Sequence, residues 1–221
     1  MADRFEELLS AEERDLMAGL SSPARIQAFL DDTPYSTENA NRCPLSVLRD
    51  RRAHCLDGGL FAALALRRLG HRPLIVDLLP EPGTDDDHLL AIYRQNGGLG
   101  AVAKSNFAGL RGREPVYRTL RELVMSYFEF YFNVDGQRTL RGYARPLDLG
   151  AYDRLDWTWR DAGADAIEKR LYGLHPIPLL QPAMAAALTP LDDLSYRSGT
   201  LGIDLAGVYR PHAPEEQPSH P

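Results

Sequence analysis

The stretch Ala53-His54-Cys55-Leu56-Asp57-Gly58-Gly59 passes from loop chemistry into an apolar run, Phe61 to Leu69, that Gly70 closes. This order of residue types predicts a buried helix starting near Cys55, with Gly70 as its C-terminal stop. A cysteine in the first turn of such a helix sits beside the positive end of the helix dipole and beside unpaired backbone N–H groups, and both favour thiolate. Thiolate is the nucleophile, and the same N–H groups can hold an oxyanion, so Cys55 could supply two parts of a covalent acyl-transfer site. The competing reading is a small buried hydrophobe, the commonest fate of a free cysteine. A base elsewhere in the chain has to decide between the two.

Downstream of the helix, Pro73 to Leu79 is rich in Leu, Ile and Val and reads as a strand buried on both faces. Pro80 to Asp87 is a loop, His88 to Arg94 a second strand, Asn96-Gly97 a tight turn, and Leu99 to Ser105 a third strand. Upstream, Phe5, Leu8, Leu9, Leu16, Met17 and Leu20 keep helical spacing, interrupted by Ser10-Ala11-Glu12-Glu13, a capping box that divides the segment into two short helices. A further helix runs from Pro23 to Leu30, and Pro44 to Arg49 forms one or two helical turns. Pro115 to Phe132 carries apolar and aromatic residues at helical spacing and predicts an amphipathic helix of about five turns. Leu155 to Trp159 suggests a short strand, and Ala164 to Tyr172 a helix.

The expected architecture is α+β, with the helix-start cysteine packed on a small antiparallel sheet. Residues 1–180 form one domain: core 44–107, N-terminal helical brace 3–31 and C-terminal helices 115–173. Residues 181–221 read as an irregular extension, with a disordered tail over 211–221.

Composition narrows the function classes. The net charge of −6 comes from 31 acidic against 25 basic residues with no long basic run, which argues against nucleic acid as a partner. Met1 to Glu7 lacks the apolar h-region of a secretory signal, and the apolar stretch Leu60 to Leu66 is too short to span a bilayer, so a cytoplasmic location and no membrane partner are expected. Two cysteines, Cys43 and Cys55, fall short of a disulfide framework and fit a reducing compartment. Neither has metal-ligand spacing, and Asp85-Asp86-Asp87 reads as an acidic surface loop, so no metal or cofactor is expected. Gly97-Gly98-Leu99-Gly100 lies between strands and is no phosphate cradle.

Of the six histidines, His212 and His220 fall in the tail, and His54 adjoins Cys55 but points elsewhere around the helix start. His71 follows the far end of the helix, roughly 24 Å from Cys55 at 1.5 Å per residue. His88 is therefore the candidate base, with His175 second. A two-residue Asn96-Gly97 turn pairs Gln95 with Gly98 and, carried back along the ladder, sets His88 opposite Ser105; a three-residue loop sets it opposite Asn106. Either side chain could fix the imidazole tautomer.

The order Cys-Leu-Asp-Gly-Gly on a helix, Asp-His-Leu-Leu-Ala-Ile-Tyr on a strand and Gly-Gly-Leu-Gly-Ala-Val-Ala-Lys-Ser-Asn on the next resembles the core of the transglutaminase-like superfamily, within the papain-like group. The flank Tyr117-Arg118-Thr119-Leu120-Arg121-Glu122-Leu123 is similar to bacterial members of unassigned function. The resemblance covers about residues 44 to 107 and implies Cys55 as nucleophile and His88 as base. It lacks the expected aspartate on the final strand, with Asn106 and then Ser105 as substitutes, and has Leu99 where tryptophan is common. It implies a cysteine-dependent acyltransferase, amidase or protease that acts on a peptide or small amide through a thioester. The alternative is a catalytically inactive module that keeps the fold and binds a protein or ligand.

Overall fold

The computed structural model describes residues 4–210. The predicted disordered tail, 211–221, lies outside the described residues.

The N-terminal brace comprises α1 (Arg4–Leu8), α2 (Ala11–Gly19) and α3 (Pro23–Asp32). Ser10 caps α2 through the expected capping box, with its side chain accepting from Glu13 N and the Glu13 carboxylate accepting from Ser10 N at 2.7 Å. After α4 (Pro44–Asp50) comes α5 (Cys55–Arg68), in which Leu56 through Leu66 are all buried. Burial of that apolar surface stabilises the helix far more than its ends do, since each buried Leu or Phe is worth about 1.5–3 kcal/mol against roughly 1 kcal/mol for a cap. Gly70, at φ +89°, ends α5: Gly70 N donates to Arg67 O at 3.0 Å and His71 N to Leu66 O at 3.1 Å, the paired bonds of a Schellman motif.

The sheet follows as β1 (Leu74–Pro80), β2 (His88–Gln95) and β3 (Gly98–Val102), then β4 (Arg113–Tyr117), β5 (Leu140–Tyr143), β6 (Leu147–Asp148) and β7 (Ile177–Pro178). All pairings are antiparallel, in the order β4-β3-β2-β1-β5-β7, with β6 also on β1. Asn96 and Gly97, at φ +51° and +85°, form the two-residue turn, and Gln95 pairs with Gly98 as the sequence implies. The ladder ends at Ala91 opposite Val102, however, so the expected pairing of His88 with Ser105 or Asn106 is not formed. Strand β3 stops there because the chain leaves the sheet: Ala103 N turns to the Gln27 side chain of α3.

Alternation along the strands gives two cores. Ile75, Leu89, Ala91 and Val102 pack with α5, α3 and α4 on one face; Val76, Leu78, Leu90 and Ile92 pack with Tyr127, Phe128 and Tyr131 on the other. The five-turn helix expected over Pro115 to Phe132 is broken. Its first residues pair with β3 as β4, Thr119 caps a short α6 (Leu120–Met125), and Phe128–Phe130 is a 3-10 turn. Edge pairing in β4 leaves Val116 70% exposed, so the apolar periodicity there was not a single buried stripe. Leu155 to Trp159 is not a strand: a 3-10 helix, Leu149–Leu155, leads into a turn that buries Trp157 completely. α7 (Asp161–Tyr172) forms close to its predicted bounds. The C-terminal extension is not irregular throughout, since it contains α8 (Pro182–Ala186) and α9 (Asp193–Gly199), neither of which has a buried residue.

Gly58 and Gly59 set the seat of α5 on the sheet. A Cβ on Gly58 would lie 2.2 Å from Lys104 Cβ, and one on Gly59 would lie 2.7 Å from Leu89 Cδ2. Lys104 cannot swing clear, because its ammonium is held by the carbonyls of Leu30 and Thr33. Gly58→Val is therefore expected to destabilise the fold by about 1–3 kcal/mol through overpacking, read as a lower urea midpoint. Gly19→Val, with open space around its Cβ direction, provides the mild control.

Candidate functional site

Cys55 is the first residue of α5, and the helix start around it is tightly specified. His54 is the N-cap: its Nδ1 accepts from Leu56 N at 3.2 Å, and Asp57 Oδ2 accepts from His54 N at 3.1 Å. This fixes His54 as a structural cap, not a base for the neighbouring thiol. Asp57 is fully buried; its other oxygen accepts from Arg42 N at 2.6 Å and so ties the 36–42 loop to the helix start.

The Cys55 thiol is half-buried, with Sγ 3.9 Å from the carbonyl oxygen of Asp87. Burial, reinforced by the carboxyls of Asp87, Asp86, Asp77 and Asp57, pushes the thiol well above its ordinary value. The helix start was expected to favour thiolate; here the surrounding acids and desolvation prevail, and the resting group is a neutral thiol.

His88 opposes Leu78 in the ladder and shares that residue's face, the one remote from α5. Its ring lies among Tyr127 and Tyr131, with centroids 6.4 and 6.5 Å away. His88 Nε2 is 2.7 Å from the carbonyl oxygen of Leu110. A carbonyl only accepts, so Nε2 carries the proton in the neutral ring and Nδ1 keeps its lone pair. Burial lowers the imidazole to about 4, with Arg113 adding to the effect. Arg113 also fixes the loop that presents Leu110: it donates to the carbonyls of Gly109 (2.7 Å), Gly112 (3.1 Å) and Arg111 (3.2 Å) and lies 3.9 Å over the Tyr127 ring.

Neither Ser105 nor Asn106 bonds the imidazole. Ser105 Oγ accepts from Phe107 N at 3.0 Å, closing a local turn. Asn106 turns to the C-terminal segment, where it bonds backbone of Asp204 and Gly207. The orienting group is the Leu110 main chain, invisible to a reading of side-chain types.

Cys55 and His88 still share a space. Both line a cavity of about 40 Å³, room for a water or two, together with Ser105, Asn106 and Leu110. Cys55 also opens onto a larger cleft of about 290 Å³, walled by Tyr35, Asp86, Asp87, Glu168, Tyr172 and Tyr209 among others, with no lysine or arginine among the described residues that line it. Tyr131 Oη donates to the carbonyl of Asp86 at 2.6 Å and holds the acidic loop in place. Asp85 and Asp87, partly buried, are raised to about 6, chiefly by desolvation. The loop is therefore a wall of the cleft, with Asp86 the most exposed of the three. Among the described residues no group of three or more His, Cys, Asp or Glu side chains is arranged to hold a metal ion. Both cysteines are free, and among the described residues no helix is long and apolar enough to cross a membrane. His175 lies exposed, away from these cavities.

The cleft residues Tyr35, Glu168 and Tyr172 of α7, and Tyr209 come from three distant segments and carry no motif. Tyr127 and Tyr131 were legible as a buried aromatic stripe, but not as neighbours of the histidine. No protein-family model matches this chain, and no curated protein matches it.

The buried carboxyls give the fold a pH signature. Asp77, 2% exposed with Oδ2 unpartnered, is raised to about 9 by burial and by Asp87, and Asp57 is raised to about 7. Groups raised in the folded state contribute stability at low pH that is lost as pH rises through their folded values; His88, lowered to about 4, opposes this only as pH falls below about 6.5. The melting temperature is thus expected to fall from pH 6.5 to pH 8, above which Lys104, lowered to about 8 by burial, begins to oppose the trend. Asp77→Asn, neutral throughout, should flatten that slope and stabilise the protein at pH 8.5 by about 1–3 kcal/mol, measured by thermal melts across the range.

Proposed function

We propose that this chain is a cysteine-dependent acyl-transfer or amide-hydrolysing enzyme with a papain-like, transglutaminase-like core, acting on a peptide or small amide. The observation that carries the reading is the shared cavity: a helix-start thiol and a histidine whose Nε2–H is pinned by the Leu110 carbonyl, leaving Nδ1 without a hydrogen bond among the described residues.

Because the thiol is raised and the imidazole lowered, the pair rests neutral, and proton transfer accompanies attack. Cys55 sulfur bonds to the amide carbon while its proton passes to His88 Nδ1 and the carbonyl electrons move to oxygen. The Cys55 backbone N–H, one of the unpaired donors of the first helical turn, faces the developing oxyanion. Collapse breaks the C–N bond, the imidazolium proton goes to the leaving nitrogen, and a thioester remains. Water or an amine, deprotonated by the same nitrogen, then releases the acyl group.

A second reading, a binding module that keeps the fold without turnover, is favoured by the same neutral pair and by a carbonyl standing where a carboxylate or amide would stabilise imidazolium. Peptides and small carboxamides, screened with and without a primary amine, separate the two. The enzyme reading expects a thioester on Cys55 detectable by mass spectrometry after acid quench. It also expects a loss of about 10³-fold or more in kcat/KM in both Cys55→Ala and His88→Ala. Binding of the same peptides without Cys55-dependent turnover would sink it in favour of the module.

A further inference from the structure

The segment from Asp204 to Arg210 returns from the C-terminal helices and crosses the mouth of the thiol site. Gly207 and Tyr209 line both cavities that flank Cys55, and Ala206 and Val208 line the larger. Among the described residues, one side chain outside the segment hydrogen-bonds to it. Asn106 Nδ2 donates to Asp204 O at 2.8 Å and to Gly207 O at 3.3 Å, and Asn106 Oδ1 accepts from Asp204 N at 2.8 Å. A primary amide donating to and accepting from the same residue reads backbone, not side-chain identity. Gly207 completes the fit by lying close against the Tyr35 ring, where a Cβ would stand 2.9 Å from Tyr35 Cδ1.

The segment is otherwise weakly rooted. Its 3-10 turn, Leu205–Gly207, has no buried residue, and Leu201 and Leu205 are 81% and 69% exposed. An element with so little buried apolar surface opens far more readily than the core beneath it. Asn106 itself is 9% exposed and seated on the chain that leaves β3, so the clamp is packed more deeply than the turn it holds.

We infer that residues 204–210 are a built-in cover of the Cys55 cleft, held shut by Asn106, and that a substrate reaches the thiol only when the cover is displaced. This rests on Cys55 being the reacting group of the proposed enzyme. Its test, however, reads access to the thiol and not turnover, so failure of one does not imply failure of the other.

The experiment is carboxamidomethylation of the full-length chain by iodoacetamide at pH 8, with Cys55 and Cys43 followed separately by peptide mass spectrometry. Asn106→Ala removes all three clamp bonds, Asp204→Pro removes one donor at a backbone φ of −84° that proline accepts, and Gly207→Val collides with Tyr35. The last two changes sit in the cover and leave the core untouched. Each hydrogen bond lost is worth a few-fold in the closed population, so Asn106→Ala should speed Cys55 alkylation by roughly tenfold or more, with smaller rises in the other two. Cys43, 1% exposed, should stay unmodified throughout. Cys55 rates within about twofold of the unmodified chain in Asp204→Pro and Gly207→Val would overturn the cover, whatever Asn106→Ala does. So would a rise in those variants matched by equal labelling of Cys43, which would report loosening of the core.

Discussion

The close contact between the first turn of α5 and the sheet governs the rest of the molecule. Gly58 lies against Lys104 at the end of β3 and Gly59 against Leu89 of β2, at separations that leave no room for a side chain. That approach lets the start of a helix reach the start of a strand, and it brings the Cys55 thiol to the carbonyl of Asp87, the residue just before β2. The buried ammonium of Lys104 then ties the end of α3 to the same point. Brace, helix and sheet are thus joined within one turn of the thiol.

The local chemistry around this joint is defensive. Helix dipole and free N–H groups favour thiolate, but they act against desolvation and a ring of carboxyls, several themselves raised by burial. A fixed dipole is worth about 0.3–1 kcal/mol near a surface, whereas burying an unpaired charge costs several kcal/mol, so the neutral thiol wins. The histidine is treated alike: the Leu110 carbonyl orders its ring without adding negative charge, and the nearby guanidinium of Arg113 disfavours its protonation.

Much of this architecture was legible in the sequence where one local rule dominated. The glycine stop of α5, the Asn96-Gly97 turn and the Ser10 capping box each depend on chemistry within a few residues, and each formed as written. The failures share a different cause. Extrapolating the hairpin to Ser105 assumed that pairing continues until something stops it, and what stopped it was Gln27, distant in sequence. The aromatic stripe over Pro115 to Phe132 had helical spacing, but the vacant edge of β3 recruited its first residues as β4. Asn106 was noticed for its side chain and its position, yet its partners lie about a hundred residues away, in a segment whose composition suggested no role. The Leu110 carbonyl could not have been found at all, since every residue has one.

The two candidate groups share one cavity but are rooted in different packing layers. Cys55 opens α5, which packs with α3 and α4, while the ring of His88 lies by Tyr127 and Tyr131, and the two meet at the start of β2. Their mutual distance is therefore a register between two packing layers that meet across a shared sheet, not a property of one rigid element. A substitution deep in either layer can slide thiol past imidazole without touching either, so the tuning of this pair is distributed through the whole interior.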